Sequence, residues 1–426
     1  MKYSRIFALM ALAGIATGAQ ATNGYFAHGY GMKAKGMAGV ATASSDDAFG
    51  GANNPASMAF AGNRFDLGID LFSPRREASR TGSANSFGPG DPGRNYSADS
   101  DSNYFLIPEL GYNRMINNNL ALGVTVYGNG GMNTNYPGGE IPANFCGLGA
   151  PASNGLCGQG NLGVDLIQLI VAPTVAFKIA PNHSIGISPL LGYQRFKAEG
   201  LQAFGVDSNG TAPGGNNLGY DDSFGYGLRV GYMGKLTPTV SIGAAYASKM
   251  KFDEFGKYAG LFAEQGGFDI PSNFNVGVAW QIVPAFKLAL DYQRINYSKI
   301  NSIGNAATSP GVFGADNGPG FGWEDVKVWK LGMEYKYSPK MTFRAGLSRA
   351  NSPIENNDVT FNILAPAVIE NHATLGFTHT MASGNELSVA YMHAFKNDVE
   401  GPSSFGGTDK IKMYQNSLGI QYSWKM

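Results

Sequence analysis

The chain has 426 residues, with 31 basic and 31 acidic side chains and only 15% charged residues overall. Its 60 glycines are about twice the usual share, and 43% of the residues are hydrophobic. This composition excludes intrinsic disorder and a collagen-like fibre, differs from that of common cytosolic enzymes, and argues against nucleic acid as a partner.

The first 21 residues have the features of a secretory signal peptide. Lys2 and Arg5 precede an apolar run over residues 6–15, and Ala19-Gln20-Ala21 is a small-x-small cleavage pattern. The mature protein is therefore expected to begin near Thr22. No later run reaches the roughly 18 apolar residues that a membrane-spanning helix needs.

From residue 64 onwards, apolar residues repeatedly alternate with glycine or polar residues, which is the period-2 pattern of a strand with two unlike faces. Within residues 64–72, for example, Leu67, Ile69 and Leu71 share one face, and polar or glycine residues separate them. About fourteen such runs occur, near residues 64, 104, 120, 165, 183, 222, 240, 273, 286, 325, 341, 372, 386 and 411.

The connections between these runs alternate between short and long. Asn117-Asn118-Asn119, Val283-Pro284 and Ser338-Pro339-Lys340 are tight turns, whereas the long connections have about 14 to 36 residues. Outer-membrane barrels have short periplasmic turns and long outer loops. Because a chain without spanning helices can satisfy its backbone in lipid only as a closed barrel, residues 64–426 are predicted to form an antiparallel transmembrane β-barrel of about 14 strands.

This all-β fold is favoured over a soluble β-sandwich, whose strands also alternate but whose turns do not show this asymmetry. The apolar faces are expected to meet lipid, and the glycine-rich faces to line the lumen. Aromatic residues near the strand ends are expected to form the two interfacial belts; they are Tyr193, Tyr232, Trp280, Tyr292, Tyr335, Tyr391, Tyr422 and Trp424.

Residues 22–63 precede the first strand and are rich in small residues. A lumen enclosed by fourteen strands is too wide for side chains to fill, so this segment is predicted to be an N-terminal hatch, or plug, in the lumen. Its Asn54-Pro55-Ala56 turn is the element expected to set the hatch conformation. A disordered periplasmic tail is the alternative interpretation.

The sequence resembles the outer-membrane transporters of long-chain fatty acids and other hydrophobic compounds, the FadL and TodX group, over nearly its whole length. The motifs that carry the resemblance are Ser45-Asp46-Asp47-Ala48 with Asn54-Pro55-Ala56, Ile107-Pro108-Glu109-Leu110-Gly111-Tyr112, Val171-Ala172-Pro173-Thr174, Phe268-Asp269-Ile270-Pro271, and Phe361-Asn362-Ile363-Leu364-Ala365-Pro366 leading to Ile369-Glu370-Asn371-His372. The chain departs from this group at its end, where Met426 stands in place of the usual terminal aromatic residue. Met426 keeps the outward position in the alternation of the last strand, so the barrel is expected to assemble, with weaker recognition by the assembly machinery.

The resemblance implies passive transport of hydrophobic molecules across the outer membrane of a Gram-negative bacterium. Cargo is captured at the outer loops, bound inside, and released by hatch movement and lateral exit beside a kinked third strand. Gly128, Gly130 and Gly131 close the third predicted strand and are candidates for that kink, although they also suit the start of a long loop. The expected partners are hydrophobic small molecules, outer-membrane lipid and lipopolysaccharide, and the barrel assembly machinery; the protein is expected to be a monomer.

One long loop is too apolar to face only water. Tyr258, Leu261 and Phe262 are spaced as one face of a short helix, and Phe268 follows closely. An exposed apolar patch usually marks a binding surface, so these four residues are predicted to capture cargo. The alternative is that they pack against neighbouring loops.

A fatty-acid carboxylate would need a cation in the lumen, because an uncompensated charge in an apolar cavity is costly. Strand parity points Arg229, Lys330 and Arg344 inward. Arg344 is predicted to lie opposite Glu334 across a tight turn, so an ion pair is the favoured interpretation for it. Arg229 and Lys330 are the freer carboxylate-binding candidates, although a hydrocarbon cargo would require neither.

Cys146 and Cys157 are the only cysteines, and both lie in one long loop of an exported chain, so they are predicted to form a disulfide. The loop contains no histidine, and no metal site or cofactor is expected. The sequence has no G-x-S-x-G motif, and its five histidines are scattered, so no catalytic residues are assigned and the protein is not expected to be an enzyme. A general diffusion porin for small polar solutes and, less favoured, an outer-membrane lipase-type enzyme are the alternative functions.

Overall fold

The computed structural model describes residues 22–44, 46–83, 93–202 and 217–426. The expected signal peptide and Ser45 of the first motif lie outside the described residues. None of the helices in these ranges is long and apolar enough to cross a membrane.

Within the described ranges, sixteen strands form one antiparallel sheet. They are β1 (Arg64–Thr81), β2 (Tyr96–Asp99), β3 (Phe105–Met115), β4 (Leu120–Asn133), β5 (Gly163–Ala180), β6 (His183–Glu199), β7 (Asp221–Lys235), β8 (Val240–Ala247), β9 (Lys251–Phe252), β10 (Asn273–Val283), β11 (Phe286–Ile295), β12 (Val326–Ser338), β13 (Met341–Ala350), β14 (Asn371–Thr380), β15 (Glu386–Pro402) and β16 (Thr408–Lys425).

The sheet closes because β16 pairs with β1 along the full length of both strands, from Arg64 opposite Lys425 to Thr81 opposite Thr408. The other wall strands pair in chain order. Two short strands, β2 and β9, only extend the pairing of β1 and β7 at the end that carries the long loops, which we call the outer end. The remaining fourteen strands make the wall, which confirms the predicted barrel.

The helices in the described ranges are single turns. Four are labelled α1 (Met32–Lys35), α2 (Ala263–Gly266), α3 (Asn301–Gly304) and α4 (Val359–Asn362), and the 3-10 turns include Pro55–Phe60, Gly256–Tyr258, Tyr297–Lys299 and Asn356–Asp358. All lie in the hatch or in the outer loops. None is long enough to be stable alone, so tertiary packing holds them.

The two faces of the wall differ as the alternation predicts. Leu71 on β1 and Phe224 on β7 are 42% and 64% exposed, whereas Asp70, between two outward residues of β1, is buried. The apolar face therefore meets lipid, and the small or polar face lines the lumen. The sequence pattern alone places both faces because side chains of a strand alternate.

Aromatic side chains lie at both ends of the lipid-facing wall. At the end with the tight turns, the rings of Tyr422 and Trp424 are 4.5 Å apart, measured between centroids. At the outer end, the ring of Tyr292 lies 4.8 Å from that of Trp329. These two groups match the predicted interfacial belts and bracket the hydrocarbon layer.

The hatch, residues 22–63, occupies the lumen, as the predicted fold class requires. Its backbone approaches the wall where the wall residues are glycine. An added Cβ at Gly243 would overlap the carbonyl oxygen of Thr42, and one at Gly346 would overlap the backbone of Met37. Lumen-facing glycines on several other strands also lie close to the hatch, so these positions require a residue without a side chain; they include Gly111, Gly186, Gly231, Gly332 and Gly376.

Buried charges also hold the hatch in the lumen. Lys35 of the hatch lies 2.8 Å from a carboxylate oxygen of Asp70 and 3.3 Å from one of Glu109. Lys33 lies 2.6 Å from Glu386 on β15. Because an unpaired buried charge is strongly destabilising, removal of either partner should loosen the hatch more than a surface ion pair would.

The wall glycines generate a first prediction. Gly243→Ala should displace the hatch, because even a methyl group cannot share space with the Thr42 carbonyl, and ion conductance in planar bilayers should rise. The matched control is Gly256→Ala, where the added Cβ meets open space. A folded Gly243→Ala barrel, identified by heat-modifiable migration on gels, that conducts no more than wild type would contradict the prediction.

Candidate functional site

A small apolar cavity lies among the outer loops. Its volume is about 40 Å³, and Leu261 and Phe262 line it together with Phe196, Phe321 and Leu364. An engineered protein cavity of roughly 150 Å³ binds one benzene molecule, so this much smaller cavity is too small for a hydrophobic cargo in the present arrangement of the loops.

Of the four predicted capture residues, two lie at this cavity and two lie beside it. Tyr258 packs its ring 4.8 Å from that of Phe196, and its hydroxyl donates to the carbonyl of Gly219. The expected short helix does not extend over 258–262, because a 3-10 turn ends at Tyr258 and α2 begins only at Ala263. Backbone hydrogen bonds from Leu261 and Phe262 to the Tyr258 carbonyl still bring the three residues together.

An aromatic stack runs inward from the outer cavity to the hatch. The ring of Phe268 lies 4.9 Å from that of Phe262 and 6.1 Å from that of Tyr25 in the hatch. Tyr25 in turn lies 5.2 Å from Tyr297 and 5.9 Å from Trp323. The stack is a series of neighbouring aromatic rings that leads from the outer loops to the hatch.

The hydroxyl of Tyr297 organises the start of the hatch. It donates to the carbonyl of Asn23 over 2.6 Å and accepts from the backbone amides of Tyr25 and Phe26 over 3.1 and 3.3 Å. One side chain from the loop after β11 thus pairs three backbone groups of the hatch. Buried backbone groups need such partners, so this hydroxyl stabilises the closed arrangement.

A second, polar cavity of about 30 Å³ lies below the aromatic stack. Phe26 and Tyr30 of the hatch line it, as do Arg229, Asp291 and Lys330 of the wall. The structure therefore brings together the two freer carboxylate-binding candidates, which lie on β7 and β12. Arg344 lies elsewhere, in the predicted ion pair with Glu334 at 2.7 Å.

Carbonyl groups of the hatch accept hydrogen bonds from both cations of this inner cavity. Nη1 of Arg229 donates to the carbonyl of Gly51 over 2.6 Å and also to that of Ala52. Nζ of Lys330 donates to the carbonyl of His28 over 3.0 Å. Burial lowers the pKa of the His28 imidazole well below its usual range, so His28 is neutral near pH 7.

Asp291 is the one carboxylate that lines the inner cavity in the described part of the chain. Its Oδ2 accepts from the backbone amides of Ala41 and Thr42, each over 2.9 Å, and from the hydroxyl of Thr42 over 2.7 Å. Two cations and one anion leave the lining with one excess positive charge. Three hatch segments thus depend on three charged wall residues.

The barrel wall has a gap between β3 and β4. These strands pair only from Met115 opposite Ala121 to Leu110 opposite Val126. Beyond that point, 105–109 of β3 pair with β1 alone, and 127–133 of β4 pair with β5 alone. We call the gap between these two stretches the window.

The predicted kink residues lie at the window. The register of β4 against β5 shifts between Gly128 and Gly130, which is a β-bulge. Gly128 and Gly130 belong to the strand itself, so the interpretation that they only begin a loop is wrong.

The hatch supplies the hydrogen bonds that β3 does not provide at the window. The amide of Ala27 donates to the carbonyl of Asn129 over 3.0 Å, and the amide of Gly131 donates to the carbonyl of Tyr25 over 3.2 Å. Residues 25–27 therefore act as a short substitute strand along the open edge of β4. The same residues belong to the aromatic stack and border the inner cavity, so one hatch segment touches all three features.

The disulfide between Cys146 and Cys157 is present, with a distance of 5.4 Å between the Cα atoms. It closes part of the long loop between β4 and β5, above the window. In the described ranges, no cluster of three or more histidine, cysteine or acidic residues could hold a metal ion.

Sequence reasoning missed the hatch end of the aromatic stack and the role of Asp291. Tyr25 and Phe26 are adjacent aromatic residues in a segment otherwise rich in small residues, and that contrast was an available signal. Strand parity also points Asp291 to the lumen side of β11. Nothing in the sequence indicates that Tyr297, 272 residues away from Tyr25, would be its hydrogen-bond partner.

The sequence profile of a family described as outer membrane protein transport protein (OMPP1/FadL/TodX) matches residues 8–417. No curated protein sequence matches the chain significantly.

Solved structures with this architecture are similar over almost their whole length. The toluene transporter TodX of Pseudomonas putida is 18% identical, with 94% of this chain and 99% of that chain covered and a TM-score of 0.67. The toluene transporter TbuX of Ralstonia pickettii is 17% identical, with the same coverage and a TM-score of 0.64. A FadL homologue of Pseudomonas aeruginosa is 15% identical, with the same coverage and a TM-score of 0.68.

The hydroxyl of Tyr297 generates a second prediction. Tyr297→Phe should leave the three backbone groups that it pairs without a partner, at a cost of about 1 to 3 kcal/mol. Hydrogen exchange at the amides of Tyr25 and Phe26 should become about tenfold faster or more, while exchange in the wall strands stays unchanged. Tyr335→Phe, which removes a hydroxyl from the lipid-facing wall, is the matched control. Equal exchange in both variants would mean that Tyr297 does not hold the hatch.

Proposed function

The chain belongs to the outer membrane transport family OMPP1/FadL/TodX, and we propose that its cargo is a hydrophobic molecule with a carboxylate, such as a long-chain fatty acid. The protein is a transporter of hydrophobic compounds in the outer membrane of a Gram-negative bacterium. We infer that transport is passive, driven by the binding energy of the cargo. The observation that carries the cargo assignment is the inner cavity, where Arg229 and Lys330 face the same space.

A carboxylate has a physical reason to bind in this cavity. The lining carries one excess positive charge, which one carboxylate would neutralise. A carboxylate adds the attraction of opposite charges to a hydrogen bond from Arg or Lys, and it can accept two parallel hydrogen bonds from one guanidinium, which a single carbonyl cannot do. The carboxylate would therefore compete well with the carbonyls of Gly51, Ala52 and His28 for the two cations.

This competition links binding to hatch movement. Each donor that turns to the carboxylate releases a hatch carbonyl, and a buried carbonyl without a partner is unfavourable. The hatch segments that contain these carbonyls would then move until they find new partners or water. Binding energy of the cargo is thus converted into release of the hatch, without another energy source.

We infer that cargo leaves laterally through the window between β3 and β4. The window is closed from inside by residues 25–27, which also border the inner cavity. When this segment moves away from Asn129 and Gly131, the edge of β4 opens towards the lipid. An apolar cargo would enter lipid there without crossing the aqueous periplasm first.

The hatch argues against a general porin, because it fills the lumen and meets the wall on many strands. An enzymatic function has no support in the family description, which is that of a transport protein. We also infer that the protein works as a monomer inserted by the barrel assembly machinery, since a closed barrel leaves no edge strand for a partner.

A neutral aromatic hydrocarbon is the second candidate cargo. The aromatic path through Phe262, Phe268 and Tyr25 favours it, because flat rings pack well against each other. Such a cargo would not need Arg229 or Lys330, so variants of these two residues separate the candidates.

The cargo proposal generates a third prediction. In cells without their own transporter, Arg229→Met with Lys330→Met should reduce uptake of labelled oleate about tenfold or more, as expected for the loss of charge-assisted hydrogen bonds. Toluene uptake should persist, because it uses only the apolar path. Lys336→Met, a cation at the exposed end of β12, is the control. Undiminished oleate uptake would refute carboxylate recognition, and equal loss of both cargoes would assign the two cations to hatch structure alone.

The window generates a fourth prediction. A Cβ at Gly128 would lie 3.3 Å from Cγ2 of Ile107 on β3, so cysteines at these two positions are close enough to be joined. In a Cys146→Ser, Cys157→Ser background, oxidation of Ile107→Cys with Gly128→Cys should stop uptake, and reduction should restore it. Each single cysteine variant is a control. Uptake that continues at the same rate with the disulfide formed would place the exit elsewhere.

A further inference from the structure

A group of cations lies on the lipid-facing surface at the outer ends of β11, β12 and β13. Arg294 is opposite Lys327 in the sheet register, and Trp329, two residues further along β12, is opposite Arg349. In the alternation of their strands, these three cations and Trp329 all point outward. Trp329 belongs to the outer aromatic belt, so these cations lie at the level of the lipid head groups.

Two of these cations have no ion-pair partner in the part of the chain that the structure describes. Arg294 lies 2.7 Å from Asp325, but no carboxylate oxygen comes within 4.0 Å of the side-chain nitrogens of Lys327 or Arg349. Both side chains are exposed. The acidic residues nearest along the chain are Glu324 and Asp325 before Lys327 and Glu355 after Arg349, and of these three only Asp325 forms an ion pair within the described residues.

An apolar groove begins directly below Arg349. It has a volume of about 320 Å³ and is lined by outward residues of β12, β13, β14 and β15. Leu347 on β13 is opposite Ala373 on β14, and Ala345 on β13 is opposite Leu375 on β14. Each of these two cross-strand pairs therefore joins a leucine to an alanine. The two alanines leave the depression that the leucines border.

The groove continues towards the other end of the barrel as a second depression of about 460 Å³, bordered by Phe343 and Phe377. From Arg349 to Phe343 along β13 the distance is about 20 Å, at about 3.4 Å per residue. Half of the hydrocarbon core is about 15 Å thick. The groove is therefore long enough for an acyl chain of the outer leaflet.

We propose that this surface binds one molecule of lipid A, the phosphorylated and acylated anchor of lipopolysaccharide. A phosphate of lipid A contacts Arg349 and Lys327, and one acyl chain lies in the groove over Ala345 and Ala373. Charge complementarity and position select this occupant: the cations are unpaired, they are at the outer end, and a guanidinium binds phosphate through two hydrogen bonds. The site is on the outside of the wall, so it does not depend on the identity of the cargo.

The test is native mass spectrometry of the full-length purified protein, titrated in detergent with purified lipid A or with phosphatidylglycerol. We expect one lipid A to be retained per barrel. Arg349→Gln with Lys327→Gln should weaken retention tenfold or more, and Ala345→Phe, which fills the groove, should weaken it with both cations intact. The control is Arg114→Gln with Lys336→Gln, which removes two exposed cations at the opposite end and should have no effect.

The outcomes separate the alternatives, provided that heat-modifiable migration shows each variant to be folded. Equal retention by wild type and the Arg349, Lys327 variant would overturn the head-group assignment. Undiminished binding to Ala345→Phe would overturn the groove as the acyl site. Retention of phosphatidylglycerol as strong as that of lipid A would mean a general site for acidic phospholipids, which would overturn the assignment of lipid A.

Discussion

The need to pair every backbone group within lipid governs this structure. The long pairing between β1 and β16 meets it from one end of the wall to the other. The junction of β3 and β4 does not, since its pairing ends at Leu110 and Val126. There the hatch, through the carbonyl of Tyr25 and the amide of Ala27, takes the place of the missing strand.

Because the hatch takes the place of a strand there, the closure of the wall depends on the position of the hatch. The hatch is held by close approach to wall glycines, by buried ion pairs such as that of Lys35 with Asp70, and by carbonyls bound to Arg229 and Lys330. In the proposed mechanism, a carboxylate cargo competes with the carbonyls of the last group for these two cations. Its binding energy would then act on contacts of the same hatch that keeps the window closed.

The outer surface of the barrel follows different rules from the lumen. Its side chains face a solvent that is itself apolar, so small and large residues need not pack against protein, and grooves remain. At the outer rim, cations such as Arg349 can remain without a protein partner because lipid head groups supply the anions. In the lumen, charged residues find partners within the protein: Arg344 forms an ion pair with Glu334, whereas Arg229 and Lys330 donate to hatch carbonyls.

The sequence by itself determined the strands, their two faces and the even strand count, because alternation and turn length are local properties that a closed wall must share along its length. Strand parity was also enough to point Arg229 and Lys330 inward and to pair Arg344 with Glu334. Only the tertiary structure decided that Arg229 and Lys330 face one cavity, that Tyr297 holds Tyr25, and that the glycines of β4 stand at a window. These contacts join segments separated by about a hundred residues or more, and loop and hatch residues have no fixed period from which such contacts can be derived.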